Sequence, residues 1–247
     1  AEHLRALSAR HGTRYFYFSQ DPVAPKNLVK LSQAIVAAGL DIRWATDLKP
    51  ERYLTRERAE TLREAGAVAC ALGVESGSER VLGLIDKGAP VAVVSDVIGH
   101  LAGAGIAAEA MCFTEFPTET HREALDTLDF LAGRREQLAV YIVGEFGLTH
   151  GSLVAKEPSR FGIRETWELE GDHLGLGIFF APDAPVEVRR RARGRRRAPR
   201  RALLGLGAAP LPLGGRRLDR AHRPLLRPLR RGRLPRPRGA RPARRRP

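Results

Sequence analysis

Ala65-Gly66-Ala67-Val68-Ala69-Cys70-Ala71-Leu72-Gly73-Val74-Glu75-Ser76-Gly77-Ser78-Glu79-Arg80 carries the grammar of the whole chain in sixteen residues. The Ala-Gly pair marks the end of a helix, because glycine just past the last turn takes the left-handed conformation that stops it. An apolar run too short for a helix follows and reads as a strand. The first acid, Glu75, then stands where that strand stops, and Ser76-x-x-Glu79 has the form of a capping box that opens the next helix.

The same grammar recurs on either side. Ala38-Gly39 precedes Ile42-Arg43-Trp44, and Ala104-Gly105 precedes the apolar run 107–113. Helical periodicity separates these runs: Val94, Val97, Ile98 and Leu101 share one face, as do Ala124, Leu125, Leu128, Leu131 and Ala132. Five strands are expected near 13–18, 41–46, 68–73, 106–113 and 138–144. Strands that alternate with helices, without hairpin turns, pair in parallel. The fold class is therefore α/β, either a doubly wound layer or part of a (β/α) barrel, with both faces of the sheet expected to be buried.

Charge divides the chain. The total is +14, yet residues 189–247 hold 23 Arg, no Lys and a single acid, Asp219, leaving residues 1–188 with a net charge of −8. The body thus has no basic stripe of the nucleic-acid-binding kind. Residues 189–247 use only Arg, Ala, Gly, Pro, Leu, Asp and His, which gives no aromatic or β-branched core to offset ordering entropy. The expected organisation is a folded body, 1–185, and a disordered basic tail, 186–247. A shifted reading frame in a GC-rich gene accounts for that tail; the alternative is an Arg-rich arm for nucleic acid or an anionic membrane. The opening helix, residues 2–10, has no preceding cap, and together with the tail it suggests an internal piece of a longer protein. No apolar run approaches the length of a membrane span, and the expected location is cytoplasmic.

Parallel sheets place ligands at the carboxyl ends of their strands. The first polar residues after each run are Ser19 and Asp21, Thr46 and Asp47, Glu75 and Ser76, Thr114 and Glu115, and Glu145. One acid per strand would make an acidic mouth suited to an amine, a sulfonium or a metal, unless most of them are solvated loop acids or caps. Glu75 with the helix-end N–H groups suits a hydroxylated ligand such as a ribose. Thr120-x-x-Glu123 is a second capping box, with Pro117 ending the strand before it and Glu119 expected in the first turn of the helix as a structural residue. Gly103-x-Gly105-x-x-Ala108 precedes a strand rather than following one, so it is no dinucleotide fingerprint. The seven histidines show no metal-ligand spacing, and no metal ligands are assigned.

Taken in order, these motifs resemble a known family: Leu62-x-x-Ala65-Gly66, Leu72 to Ser78, Val81-Leu82-x-x-Ile85-x-Lys87-Gly88, Ala104-Gly105-Ile106 and Phe116-Pro117-Thr118-Glu119-Thr120. Over roughly residues 1–165 the chain is similar to the core of the radical S-adenosylmethionine (SAM) enzymes, most of all the branch that carries a cobalamin-binding domain. Phe146-x-Leu148-x-x-Gly151-Ser152, followed by Phe161-Gly162-Ile163, continues the likeness.

The resemblance implies an incomplete parallel (β/α) barrel in which the five strands are the second to the sixth. It implies SAM as cofactor, with Ser19 to Asp21 at its amino group, Glu75, Ser76 and Ser78 at its ribose or carboxylate, and Phe116-Pro117 around the adenine. It also implies a [4Fe–4S] cluster, a cobalamin in some members, and a small-molecule or peptide substrate. Two departures stand out. Glu115 occupies a position where that branch usually has Gly, and the Cys-x-x-x-Cys-x-x-Cys that holds the cluster is absent, as is the strand before it. The reading is a fragment of a radical SAM enzyme, inactive by itself; the alternative is a cluster-free ligand-binding or scaffold protein with a basic nucleic-acid-binding arm.

Cys70 and Cys112, the only cysteines, each lie in an apolar run and cannot supply three thiolates. Reconstitution of the chain with iron and sulfide should therefore yield no stoichiometric cluster, as read by iron and labile-sulfide content and visible absorption. A stoichiometric charge-transfer band that disappears in Cys70→Ser or Cys112→Ser would be the opposite result.

Overall fold

The architecture comes from a computed structural model that describes residues 1–168 and 178–184, apart from the side chains of residues 20–22. After helix α1 (Glu2–His11), the chain alternates β1 (Tyr15–Val23), α2 (Pro25–Ala37), β2 (Arg43–Leu48), α3 (Arg56–Glu64) and β3 (Ala67–Glu75). Two helices, α4 (Glu79–Leu84) and α5 (Val91–Gly103), then lead to β4 (Ala107–Thr114), α6 (His121–Gly133) and β5 (Leu138–Glu145). A short helix α7 (Leu153–Lys156), a 3-10 turn (Pro158–Phe161) and an antiparallel pair, β6 (Ile163–Trp167) and β7 (Phe179–Pro182), complete the described residues. All of these belong to the unit Ala1–Pro210. The expected basic tail, 186–247, and its boundary with the body lie outside the described residues.

The five strands form one parallel sheet in the order β1-β2-β3-β4-β5. This settles the choice left by the sequence. A doubly wound sheet reverses direction partway and puts helices on both faces, whereas a monotonic order keeps every crossover on the same side, as in a barrel.

Burial along the strands agrees. Trp44, Leu48, Cys70, Leu72, Ala108 and Ala110 turn toward the helices and are buried, against Leu28, Ile35, Leu62, Val94, Ile98 and Leu101. Two buried polar groups of β2 on this side are paired: the Trp44 indole N–H donates to the Ala65 carbonyl at 2.9 Å, and the Thr46 hydroxyl donates to the Phe18 carbonyl at 3.1 Å.

The other face corrects the expectation of two covered sides. Its residues are small or partly exposed, among them Ala45, Ala69, Tyr17, Val140 and Ile142, the last three at 57%, 49% and 51% exposure. A one-layer α/β arrangement leaves open the face that a closed barrel would turn to its lumen.

The Ala-Gly helix stops form as expected, with left-handed Gly39, Gly66 and Gly105. At Gly66 the requirement is also spatial, since a Cβ would stand 2.0 Å from the Ile42 carbonyl oxygen, where the helix end feeds the β2–β3 edge. A further departure concerns β1, which does not stop before Ser19. It continues to Val23, and its pairing with β2 shifts register between Phe18 and Val23. Pro22 is tolerated because β1 is the edge of the sheet.

Ser32 in α2 is fully buried, and its hydroxyl has no hydrogen-bond partner. Ser32→Ala should leave stability unchanged or raise it by up to about 1 kcal/mol, because it removes an unpaired polar atom. Leu72→Ala, in the middle of the same core, should cost about 2–5 kcal/mol by opening a cavity. Chemical denaturation of the two variants checks the pair.

Candidate functional site at the carboxyl ends of the central strands

The ends of β3 and β4 lie side by side, with Glu75 in register with Cys112. Each strand stops at an acid in the left-handed region, Glu75 at φ 64° and Glu115 at φ 68°. Such a backbone costs a non-glycine residue about 1–3 kcal/mol and persists only where surrounding contacts impose it. The occurrence of Glu at a position where the resembled branch usually has Gly is thus a conformational anomaly as well as a chemical one.

Behind these two turns, donors from several residues meet at one carboxylate. Glu123, in the first turn of α6, accepts two bonds from the Arg80 guanidinium, both 2.7 Å, and one from the Ser78 hydroxyl at 3.0 Å. It also closes the Thr120 capping box, accepting from the Thr120 N–H at 2.9 Å while its own N–H donates to the Thr120 hydroxyl. These donors, Arg80 foremost, hold its acid well below the usual range, at about 2.

Arg80 donates in addition to the Thr118 carbonyl at 2.7 Å. Beneath this layer, Gly77 N–H donates to the Thr127 hydroxyl at 2.9 Å, which also meets the Ser76 hydroxyl at 3.2 Å. The loop after β3 is thereby sewn to α6. Gly77 makes the approach feasible: a Cβ would lie 2.5 Å from the Asp126 carbonyl oxygen.

This stitching corrects the capping box expected at Ser76 and Glu79. The left-handed turn at Glu75 delays the helix, so Ser78 is the N-cap and accepts from the Val81 N–H. The Ser76 hydroxyl is drawn instead to Thr127 and to the Ser78 N–H, and Glu79 accepts from the first N–H of α5, that of Val91, at 2.9 Å. Ser76 and Ser78 are buried, and their hydroxyls are engaged in these structural bonds.

Glu75 remains at the rim, its side chain 29% exposed, with Oε1 accepting from the Lys87 ammonium at 2.8 Å. Gly73 makes room for that pair, since a Cβ there would lie within 3 Å of both charged groups. Lys87 stood in the motif without an assigned role, and its sequence neighbours offered no sign that it would return to Glu75.

Phe116 and Pro117 are buried. The Phe116 ring packs edge-on against Phe146 and Phe161, with centroids 4.9 and 6.2 Å away. Ser19 is exposed on β1, and the side chain of Asp21 lies outside the described residues. Asp47 is inside β2 rather than after it, and its Oδ1 accepts from the Tyr17 hydroxyl across the open face at 3.0 Å.

Glu119 is not in a helix. It precedes α6, is 2% exposed, and accepts from the Glu115 N–H at 2.5 Å. Burial pushes its acid up to about 7.

Among the described residues no group of three or more His, Cys, Asp or Glu is arranged to hold a metal ion. Cys70 and Cys112 are buried, and burial pushes both thiols up to about 12, far from the thiolate form that ligates iron.

No family model matches the sequence. Among curated proteins, one from Pyrococcus horikoshii described as an uncharacterized methyltransferase is 28% identical over 131 residues, covering 52% of this chain and 28% of that protein. The chain thus spans little more than a quarter of that relative's length.

Two solved structures are similar in fold. The radical SAM methyltransferase TsrM from Kitasatospora setae, with cobalamin and a [4Fe–4S] cluster bound, gives a TM-score of 0.57 at 14% identity over 83% of this chain and 45% of its own. The cobalamin-dependent radical SAM enzyme OxsB, in its apo form, gives 0.56 at 14% identity over 73% of this chain and 33% of its own. These likenesses show the fold, a partial parallel barrel of the radical SAM type. No helix among the described residues is long and apolar enough to cross a membrane.

Glu123→Gln should destabilise the chain by about 1.5–3 kcal/mol near neutral pH, because the Arg80 guanidinium loses its charged partner. The acid's pKa is lower in the folded chain than in the unfolded one. Its contribution is therefore complete above the ordinary carboxylate range and is lost as pH falls toward about 2, a component that the Gln variant should lack in pH-dependent denaturation.

Proposed function

We propose that this chain is the SAM-holding portion of a radical SAM enzyme, acting in a SAM-dependent methyl transfer of the parent protein. The observation that carries the reading is the strained, charged rim formed by Glu75 and Lys87 at the carboxyl end of β3, beside the open face of a parallel sheet. The similarity of fold to two cobalamin-dependent radical SAM enzymes and the partial sequence similarity to a described methyltransferase support it.

Glu75 and Lys87 fit the polar parts of SAM. Glu75 presents a carboxylate that can accept from ribose hydroxyls or from an ammonium, and Lys87 can donate to a carboxylate. Their mutual pairing keeps each charge compensated until a ligand arrives. Ser76 and Ser78 contribute by fixing the direction of the Glu75 backbone rather than by touching ligand. Phe116 and Pro117 form the packed wall behind the β4 turn. Ser19 and Asp21 stay in the reading as contacts of the amino group from the edge strand.

A [4Fe–4S] cluster, when bound in enzymes of this kind, supplies the electron that cleaves SAM. The residues here do not fit it: two thiols, both buried against helices, cannot supply three ligands. No step of the chemistry is assigned through it, and we assign the cluster and any cobalamin to parts of the enzyme other than the described residues. The shortage of thiolates is also the observation that favours a second reading, a cluster-free small-ligand-binding or scaffold protein whose Arg-rich segment would contact nucleic acid.

Calorimetric titration of SAM into the chain tests the first reading. Glu75→Gln should weaken binding at least tenfold, the loss expected of a charged hydrogen-bond partner worth about 1.5–3 kcal/mol. Glu79→Gln, which removes a nearby charge from a capping position, should change it by less than about threefold. Equal effects of the two substitutions, or no SAM binding at all, would remove the assignment.

A further inference from the structure

Glu119 combines features that neither the capping of α6 nor the ligand reading uses. Its carboxyl group lies between the end of β4 and the start of α6, almost fully out of solvent. Oε2 accepts from the Glu115 N–H at 2.5 Å, while Oε1 is buried with no hydrogen-bond partner. The N–H of Glu119 donates back to the Phe116 carbonyl at 2.8 Å, so residues 115–119 close on themselves. The residue held by this contact, Glu115, is in the left-handed conformation that a non-glycine residue adopts only under constraint.

Several titratable and charged groups stand around it. Glu115 lies on the turn itself, Glu123 lies on the first turn of α6, and His121 begins that helix. Arg80, the cation facing from α4, spends its guanidinium on Glu123 and Thr118.

We propose that Glu119 is a proton-operated latch on the turn that ends β4. With the proton released to solvent, the carboxylate draws in the Glu115 N–H and holds the turn closed. With the proton bound, the neutral acid accepts the same hydrogen bond weakly, and the left-handed turn loosens. Burial, with the neighbouring Glu123 and Glu115 adding to it, pushes this acid up to about 7, so both states are populated near neutral pH. The turn carries the buried Phe116 and Pro117, and the latch follows from the geometry of the turn whichever ligand the rim binds.

Backbone-amide NMR of the full chain, followed across neutral pH, tests this directly. The Glu115 amide proton should shift downfield with a midpoint within about one unit of 7, and its exchange, corrected for intrinsic rate, should slow over the same range. Both transitions should vanish in Glu119→Gln. A Glu115 amide that shows no transition in that range, or the same transition persisting in Glu119→Gln, would overturn the latch. If Glu119→Gln does not fold, Glu115→Gly keeps the acceptor, suits the left-handed backbone and gives a distinct glycine resonance. The same midpoint must appear there, and its absence also overturns the proposal.

Discussion

The carboxylate of Glu123 is the point on which the carboxyl-terminal edge of this molecule depends. It gathers donors from three residues on two segments, Arg80 and Ser78 after β3 and Thr120 before α6. Charge-assisted bonds to a partly buried anion are stronger than neutral ones, and each donor here loses its best alternative if the anion is removed. This cluster, with Thr127 bridging Ser76 and Gly77 below it, ties the segment after β3 to α6, next to the left-handed acids that follow β3 and β4. Glu75 faces the rim because the loop behind it is tied down, rather than through any preference of its own backbone.

Among the described residues the sheet is covered on one side, and this sets the second constraint. Monotonic strand order sends the crossover helices to the same face, and the core there is built from Trp44, Leu48, Leu72 and the inner faces of α2, α3 and α5. The other face keeps alanines and glycine along β3, with Tyr17, Asp47, Val140 and Ile142 around them. Small side chains at the centre of an uncovered face leave volume for something to lie against it. The polar groups that would orient such a ligand stand at the strand ends, which is the usual division of labour in parallel α/β proteins.

The thiols set a limit on the chemistry. Cys70 and Cys112 both face the helices, where low dielectric favours the neutral thiol, so they serve as small apolar residues of the core. The fold is similar to that of TsrM, solved with an iron–sulfur cluster, yet the two thiols of this chain are buried in the core.

By itself the sequence determined what depends on local spacing: five parallel strands separated by helices, the Ala-Gly helix stops, the Thr120 capping box and the position of Glu75 at a strand end. Each of these is decided within a few residues by backbone conformation and hydrophobic period. The resemblance carried by the order of the motifs narrowed the two sheet arrangements to a partial barrel, and the strand order then showed it.

Only the tertiary structure decided where hydrogen bonds close across long separations. Ser76 leaves its own capping box for Thr127, 51 residues away, and Glu123 reaches back to Arg80 across 43. Lys87 returns to Glu75, Glu119 sinks out of a helix into the interior, and β1 runs on past Ser19. A polar side chain satisfies itself with whatever donor or acceptor the fold brings near, and sequence spacing says nothing of that neighbour until the strands have been laid side by side.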